Sequence, residues 1–395
     1  MTDFSVATFN VKNLIGANAE YYRFQIYTDE EYAWKKDWTA DQIVRMNPDI
    51  IGFQEVFEKP ALQDVIDAAD RQGNLGNAAA LPDQSKSYRK RAIFRRLAYE
   101  SYADARLAFA PNSFDGDAGN RRPGLAILSR FGFLGEPEFV QDLETPLEID
   151  FSHIGGGAAG NFVLARLSRP ILKVRVPIDG RAVTVFNCHL KSKLGEFIRN
   201  PGDDFAPEAD LTNYDPVGRA MGALRAGLRR MAEARVLRGL IVEELKQGNP
   251  TIVMGDFNDS EHAVSSEIIS GERPFKNYSW MLRHDSGHRN DRYSREENEV
   301  ITDAVNTMKL TSAEALFVRK SLRDMIFTSA FGGVYESIDQ ILLSQNFHPD
   351  NPDRIGEMEY LSVFNDHLTD GSHPEAPYNK LASDHGQLMA HIRLV

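Results

Sequence analysis

Short, wholly apolar runs alternate along this chain with longer stretches in which apolar residues return every three or four positions. The first pattern marks strands covered on both faces, the second amphipathic helices. Residues 4–10, Ile50-Ile51-Gly52-Phe53, Thr251-Ile252-Val253-Met254, residues 338–343 and residues 386–394 fit strands. Residues 171–176 and 182–186 flank Asp179-Gly180, a pair suited to a tight hairpin turn. Helical spacing covers residues 39–47, with Thr39 expected as N-cap and Asn47-Pro48 as the stop. It also covers residues 60–69, which open on a proline, and residues 217–245. In the last of these Met221, Leu224, Leu228, Met231, Leu237, Ile241 and Leu245 share a stripe. Strands recur to the end with no shift in composition. The expectation is one α/β domain over residues 1–395, with two packed sheets. Polar stretches near 72–120, 192–216 and 260–300 are expected as loops around a rim.

Six strand-like runs carry a short polar break at or near an end. They read Ala7-Thr8-Phe9-Asn10, Gly52-Phe53-Gln54-Glu55, Asn187-Cys188-His189-Leu190, Gly255-Asp256-Phe257-Asn258, Ser337-Ile338-Asp339-Gln340 and Ser383-Asp384-His385. Strand ends are rigid platforms on which side chains from distant segments can converge. Carboxylates, amides and imidazoles together suit a hard metal ion and a phosphoryl group. Asp256 and Asn258, two apart, can face one way, the Asp holding a water and the Asn offering an N–H; an Asx turn closing the strand is an equal reading. His385 can act as acid or base, with Asp384 beside it for metal ligation or orientation. Asp339 lies in so apolar a setting that it needs a partner, and a histidine N–H would serve. Glu55 is a single carboxylate of the kind Mg²⁺ accepts while keeping most of its waters. Asn10 and His189 end their own runs.

Composition narrows the choices. Cys188 is the only cysteine, so no intrachain disulfide or cysteine-based zinc cluster can form, which fits a reducing, cytoplasmic setting. Cys188-His189 invites a nucleophile pair, but adjacent strand residues point to opposite faces, so Cys188 is expected in the core. No apolar run approaches a membrane span. The formal net charge of -12 repels a polyanion unless basic residues gather at the site. Two groups could do so: residues 86–96, and Arg219, Arg225, Arg229, Arg230, Arg235 and Arg238. Solvated helix faces are the favoured reading of both. Gly155 to Gly160 fits a dinucleotide-loop pattern without the strand and helix that pattern requires, so a plain loop is expected. His348, His367 and His373 are expected at the surface, with the 365–367 segment able to reach the rim.

In order and context the six breaks resemble those of the DNase-I-like endonuclease/exonuclease/phosphatase superfamily, and Gly124 to Ser129 is similar to its middle strand. The resemblance spans essentially the whole chain. It implies a four-layer α/β sandwich, two mixed β-sheets face to face with helices outside. It implies a metal-dependent phosphoric ester hydrolase using Mg²⁺ or Mn²⁺. By match, Glu55 binds metal, with Asn10 and Asp384 as further ligands. Asp256 orients or deprotonates the attacking water, Asn258 and His189 stabilise the transition state, and Asp339 orients His385. A glutamate that supports the first histidine in DNase I has no counterpart, since the neighbourhood reads Arg121-Arg122-Pro123. Lys191 would share the face of His189 and add a phosphate contact. The leading expectation is a nuclease acting on DNA or RNA. The alternative is a phosphatase or lipid-head-group phosphodiesterase on a small phosphoester. A scaffold without activity would have no use for both histidines together with the carboxylates.

Overall fold

The computed structural model describes residues 3–21, 25–79, 98–112, 122–150, 161–199, 201–202, 205–271, 294–318, 326–369 and 381–395. Its strands are β1 (Asp3–Leu14), β2 (Ile50–Val56), β3 (Arg106–Asn112), β4 (Arg122–Ser129), β5 (Glu138–Asp150), β6 (Asn161–Ile178) and β7 (Arg181–His189). They continue as β8 (Thr251–Asp256), β9 (Leu310–Ser312), β10 (Ser329–Phe331), β11 (Val334–Glu336), β12 (Asp339–Ser344), β13 (Gly356–Phe364) and β14 (Gln387–Leu394). Two six-stranded sheets form, ordered β13-β14-β1-β2-β4-β3 and β5-β6-β7-β8-β12-β9, with β10-β11 as a separate hairpin. Each large sheet has one parallel pair, β1 with β2 and β7 with β8, among antiparallel neighbours. The fold is therefore the expected DNase-I-like sandwich of two mixed sheets with helices outside.

Apolar residues on alternate strand faces build three of the four buried hydrophobic clusters among the described residues. Phe4, Val6, Ile50, Val183, Val185, Ile252 and Met254 fill the space between the sheets. Ala7, Phe9, Val11, Ile51 and Phe53 point the other way, against α1 (Asp29–Met46) and α2 (Lys59–Ala79). Phe186, Cys188, Val253 and Phe257 lie under α3 (Pro216–Lys246). Covering both faces is what makes these strands read as unbroken apolar runs. The hairpin turn is also as expected, with Asp179 and Gly180 at φ 49° and 75°.

The helices correct several expected boundaries. Helix α1 begins ten residues before the expected start, at a capping box of Thr28 and Glu31 (3.1 and 3.2 Å), and ends at a left-handed Asn47. Thr39 is no cap: it is buried inside the helix and its hydroxyl returns to the Lys35 carbonyl. The polar first turn, Asp29-Glu30-Glu31, had hidden the period. Only the later part of the α3 stripe is buried, through Leu237, Ile241 and Leu245, whereas Met221 and Leu224 are exposed. Phe197, from the 191–215 segment, packs instead on Gly222, where a Cβ would meet its ring at 2.3 Å. The expected 72–120 and 260–300 loops contain regular structure: the end of α2, β3, α4 (Val264–Ser270) and α5 (Arg295–Thr307). Among the described residues, Ala313–Val318 forms a further short helix, α6.

Topology places one rim under all six breaks. The parallel pairs β1/β2 and β7/β8 finish side by side, with Asn10 opposite Gln54 and His189 opposite Asp256. Strand β12 runs the other way, so it begins there, with Asp339 opposite Asp256. Strand β14 begins two residues after His385. Gly255, at φ 145°, lets β8 approach β7: an added Cβ would lie 2.0 Å from the Cys188 carbonyl oxygen. Gly255→Ala should therefore cost about 1–3 kcal/mol, read as a lower urea midpoint at unchanged slope.

Candidate active site

Asn10 is the hub of the rim. Its Oδ1 accepts from the Lys12 backbone N–H (2.9 Å), which turns the amide nitrogen inward. That Nδ2 donates to Asp256 Oδ2 (3.0 Å) and to Glu55 Oε1 (3.4 Å), and lies 3.4 Å from His385 Nε2. The ladder shifts register after Asn10 in β1 and after Gln54 in β2, as β-bulges do, and this re-aims the side chains there. Lys12, Asn13 and Glu55 are left-handed, with φ between 50° and 63°. Such backbone is costly for a glutamate and here lets Glu55 Oε2 accept from the Asn13 N–H (3.0 Å).

Asp256 closes the site from the second sheet. One oxygen accepts from the Asn258 backbone N–H (2.8 Å), so the Asx turn and the convergent site are the same structure. The other faces Asn10, with His189 Nε2 at 3.2 Å and His385 Nε2 at 3.8 Å. Burial, opposed by His385 and reinforced by Asp339, pushes the Asp256 carboxyl up to about 7. His385 Nδ1 pairs with Asp339 Oδ2 at 2.9 Å, the partner that the buried Asp339 required. Burial alone would lower the His385 pKa, but the Asp339 and Asp256 carboxylates reverse it and hold it well above the usual range. His189 is held well below that range by burial, with Arg169 and His385 adding to it. Two imidazoles thus carry opposite tendencies within one rim. His189 Nδ1 has no hydrogen-bond partner among the described residues, in keeping with the missing supporting glutamate.

Asn258 sits beside this group at φ 54°, its amide nitrogen donating to the Leu190 carbonyl (3.0 Å). Cys188 points away into the core under α3, and burial raises its thiol pKa, so it forms no pair with His189. Asp384 stands at the edge, about half exposed, with Lys12 Nζ 3.6 Å away. Lys191 does not line up with His189. Strand β7 ends at His189, the Lys191 N–H turns to Glu233 Oε2, and its ammonium donates to the Leu194 carbonyl (2.9 Å). His367 does reach the rim, bonding the His385 carbonyl (2.9 Å) and packing edge-on against Trp38. His348 lies elsewhere, beside Asp350. His373, the 86–96 basic segment and the 155–160 glycines fall outside the described residues.

The α3 arginines are mostly engaged within the protein. Arg225 and Arg229 bond Glu208, Glu196 and Glu233, Arg230 bonds Asp259 (2.7 Å), and Arg238 bonds the Ile269 and Met308 carbonyls. Arg219 lies over the Phe197 ring and bonds the Glu208 carbonyl.

The rim also fits a cation. Asp256, Asp339 and His385 each offer one ligand atom, and these lie within 4.8 Å of one another. Asp339 Oδ1 is buried and has no hydrogen-bond partner among the described residues, an anionic oxygen that a cation would satisfy. The family resemblance implied catalytic roles for these three residues and a metal at Glu55, Asn10 and Asp384, with no ligand cluster among Asp256, Asp339 and His385. The signal was available, since antiparallel β12 beside β8 brings the two Asp positions opposite each other.

The chain is similar to several solved structures at low sequence identity. The human Nocturnin catalytic domain with bound sulfate is 13% identical over 100% of this chain and 94% of its own, with a TM-score of 0.48. A mannosyl-6-phosphatase from Bacteroides thetaiotaomicron is 14% identical over 99% and 100%, at 0.46. A family protein from Leptotrichia buccalis is 11% identical over 99% and 100%, at 0.45. No curated protein matches the chain. The sequence profile of the endonuclease/exonuclease/phosphatase family matches residues 7–385, from β1 through His385. Profile and cation-binding rim together support a metal-dependent phosphoester hydrolase. With the profile spanning every one of the rim residues, the chain belongs to the endonuclease/exonuclease/phosphatase family.

Proposed function

We propose that the protein hydrolyses a small phosphoester by in-line attack of water, with Mg²⁺ or Mn²⁺ as cofactor. The observation that carries the reading is the Asp339–His385 pair facing Asp256 across the Asn10 amide. Glu55, Asn10 and Asp384 would hold the catalytic ion, which leaves Asp256 and His385 to handle protons. The Asp339 oxygen beside them, unpartnered among the described residues, adds negative charge that favours a cation at this rim. When bound, it neutralises charge developing on the phosphoryl oxygens and the leaving oxygen. Asp256 orients the water and takes its proton. A carboxyl raised to about 7 is matched to that task at neutral pH. His385, favoured as imidazolium by Asp339, is placed to give a proton to the leaving oxygen. His189 and the Asn258 amide offer polar groups to the phosphoryl oxygens.

The substrate class rests on the arginines. A nuclease needs a basic track, and most of the α3 group is already bonded to carboxylates and carbonyls of its own chain. With a net charge of -12, this favours a small ester over a nucleic acid.

EDTA should abolish turnover and Mg²⁺ or Mn²⁺ restore it, while Asp256→Ala should lower kcat by about 10²- to 10⁴-fold. A panel of aryl phosphomonoester, bis-aryl phosphodiester, plasmid, single-stranded DNA and RNA should show turnover of a small ester. Cleavage of nucleic acid alone would overturn the substrate class, and no turnover of any member would overturn the enzyme. The pH profile should be bell-shaped, rising as Asp256 deprotonates and falling as His385 does. Asp339→Asn removes the carboxylate that raises the His385 pKa. Its alkaline limb should therefore move to lower pH, with a matching drop in the His385 titration followed by NMR.

A further inference from the structure

One buried cation lies outside the rim and takes no part in the chemistry above. Lys35, in the second turn of α1, is completely buried. Its Nζ donates to the Val11 carbonyl (3.0 Å) and to the Leu381 carbonyl (3.1 Å), with the Tyr27 ring 5.7 Å away. No carboxylate pairs with it among the described residues. Burying an ammonium with only neutral partners costs several kcal/mol. Burial with help from Lys12, opposed by Glu55 and Asp384, brings its pKa down to about 7. A neutral amine still has two N–H donors, so both carbonyl bonds survive in either protonation state.

The two carbonyls belong to the two segments whose spacing the site needs fixed. Val11 follows Asn10. Leu381 leads into Ala382-Ser383-Asp384-His385, a segment outside regular secondary structure that ends in a histidine the site must aim. The same segments are tied once more at the rim, where the Ser383 hydroxyl donates to the Asn10 carbonyl (2.6 Å) and accepts from the His385 N–H (3.0 Å). Asn10 and His385 belong to no common ladder register, since β1 meets β14 only from Asp3 to Thr8. Beyond Thr8, the Lys35 and Ser383 bridges hold the strand end against the loop.

We infer that Lys35 is a positioning residue for the reaction: its amine clamps the Asn10 strand end to the Ser383–His385 loop and so fixes the His385 imidazole against the Asn10 amide and Asp256. This role rests on the proposed function of the rim, whereas the clamp itself does not. Helix α1 becomes, through one side chain, part of the site's alignment. Lysine suits the place because a long apolar stem crosses the helix layer and ends in donors that reach two carbonyls at once.

The test compares wild type with Lys35→Met, which keeps the stem and removes the donors. Both are checked for folding by near-ultraviolet circular dichroism, with a bis-aryl phosphodiester or aryl phosphomonoester as substrate and saturating Mg²⁺. Misalignment predicts a fall in kcat of about 10- to 100-fold with KM within about twofold, because substrate binding does not involve Lys35. Hydrogen–deuterium exchange, which needs no activity, should speed up at residues 10–14 and 381–386 more than at the distant β6–β7 hairpin. Combining Lys35→Met with Ser383→Ala should give losses in kcat that do not multiply, since both bridges hold the same junction. If Lys35→Met does not fold, Lys35→Gln replaces it: its side chain is one bond too short to bring its amide to both carbonyls, so it must also lower kcat. Wild-type kcat in a folded variant overturns the positioning role. Unchanged exchange in both segments overturns the clamp, even if wild type turns over none of the esters and the functional reading itself fails.

Discussion

Everything at the rim depends on two buried amide links that cross from one sheet to the other. Gln54 of β2 donates to Asn187 Oδ1 of β7 (2.7 Å), while Asn187 Nδ2 donates to the Phe53 and Ala126 carbonyls (2.9 Å each). One layer further out, Asn10 of β1 donates to Asp256 of β8 (3.0 Å). Gln54, Asn187 and Asn10 are fully buried, so leaving one of these groups without a partner would cost about 1–3 kcal/mol. An apolar interface would let the sheets slide against each other. These directional bonds admit one alignment, and Gly52, whose Cβ would fall 2.7 Å from the Met254 methyl, lets the sheets come close enough to make them. The alignment decides whether Asn10 and Glu55 from one sheet meet His189 and Asp256 from the other.

Electrostatics at the rim follow from that alignment. Buried carboxylates set close together cannot all stay ionised cheaply, and the result is visible as opposed shifts: Asp256 up to about 7, His385 up, His189 down. Pushing neighbouring groups apart in this way separates an acid from a base at one pH. The orphaned Asp339 oxygen and the ligand atoms gathered within 4.8 Å leave negative charge unbalanced, which is the situation a divalent ion relieves. The surroundings serve the same end from a distance, with Thr328 fixing the Asp339 backbone N–H and His367 holding the His385 carbonyl.

Much of this was legible in the chain. Strands covered on both faces announce themselves as apolar runs, and each of the six polar breaks lay at the rim because a polar residue is tolerated there and not deeper. That Asp339 needs a partner was legible because a carboxylate in an apolar strand must be matched, and the family resemblance pointed to His385 as that partner. Helix starts were harder. The Thr28-x-x-Glu31 capping box was present in the sequence, but a polar first turn gave α1 no apolar period to join it to. The α3 stripe read as one face, yet its first half packs on Glu196, Phe197 and Glu208 and leaves Met221 and Leu224 exposed. Lys191 was misplaced by carrying strand alternation two residues past the end of β7.

By itself the sequence determined the architecture, the residue types at the rim and the family, because apolar period, strand ends and motif order are local properties written along the chain. Only the tertiary structure decided which atoms meet. It showed that the Asn10 amide faces Asp256, Glu55 and His385 together, and that one polar atom each from Asp256, Asp339 and His385 lies within 4.8 Å of the others. It also showed that most of the α3 arginines are engaged internally and that a buried lysine on α1 joins two parts of the site. Contacts such as that between Lys35 and Leu381, or Asn10 and Asp256, connect positions hundreds of residues apart. No spacing along the chain encodes them; they exist only once both sheets and the helix layer have packed.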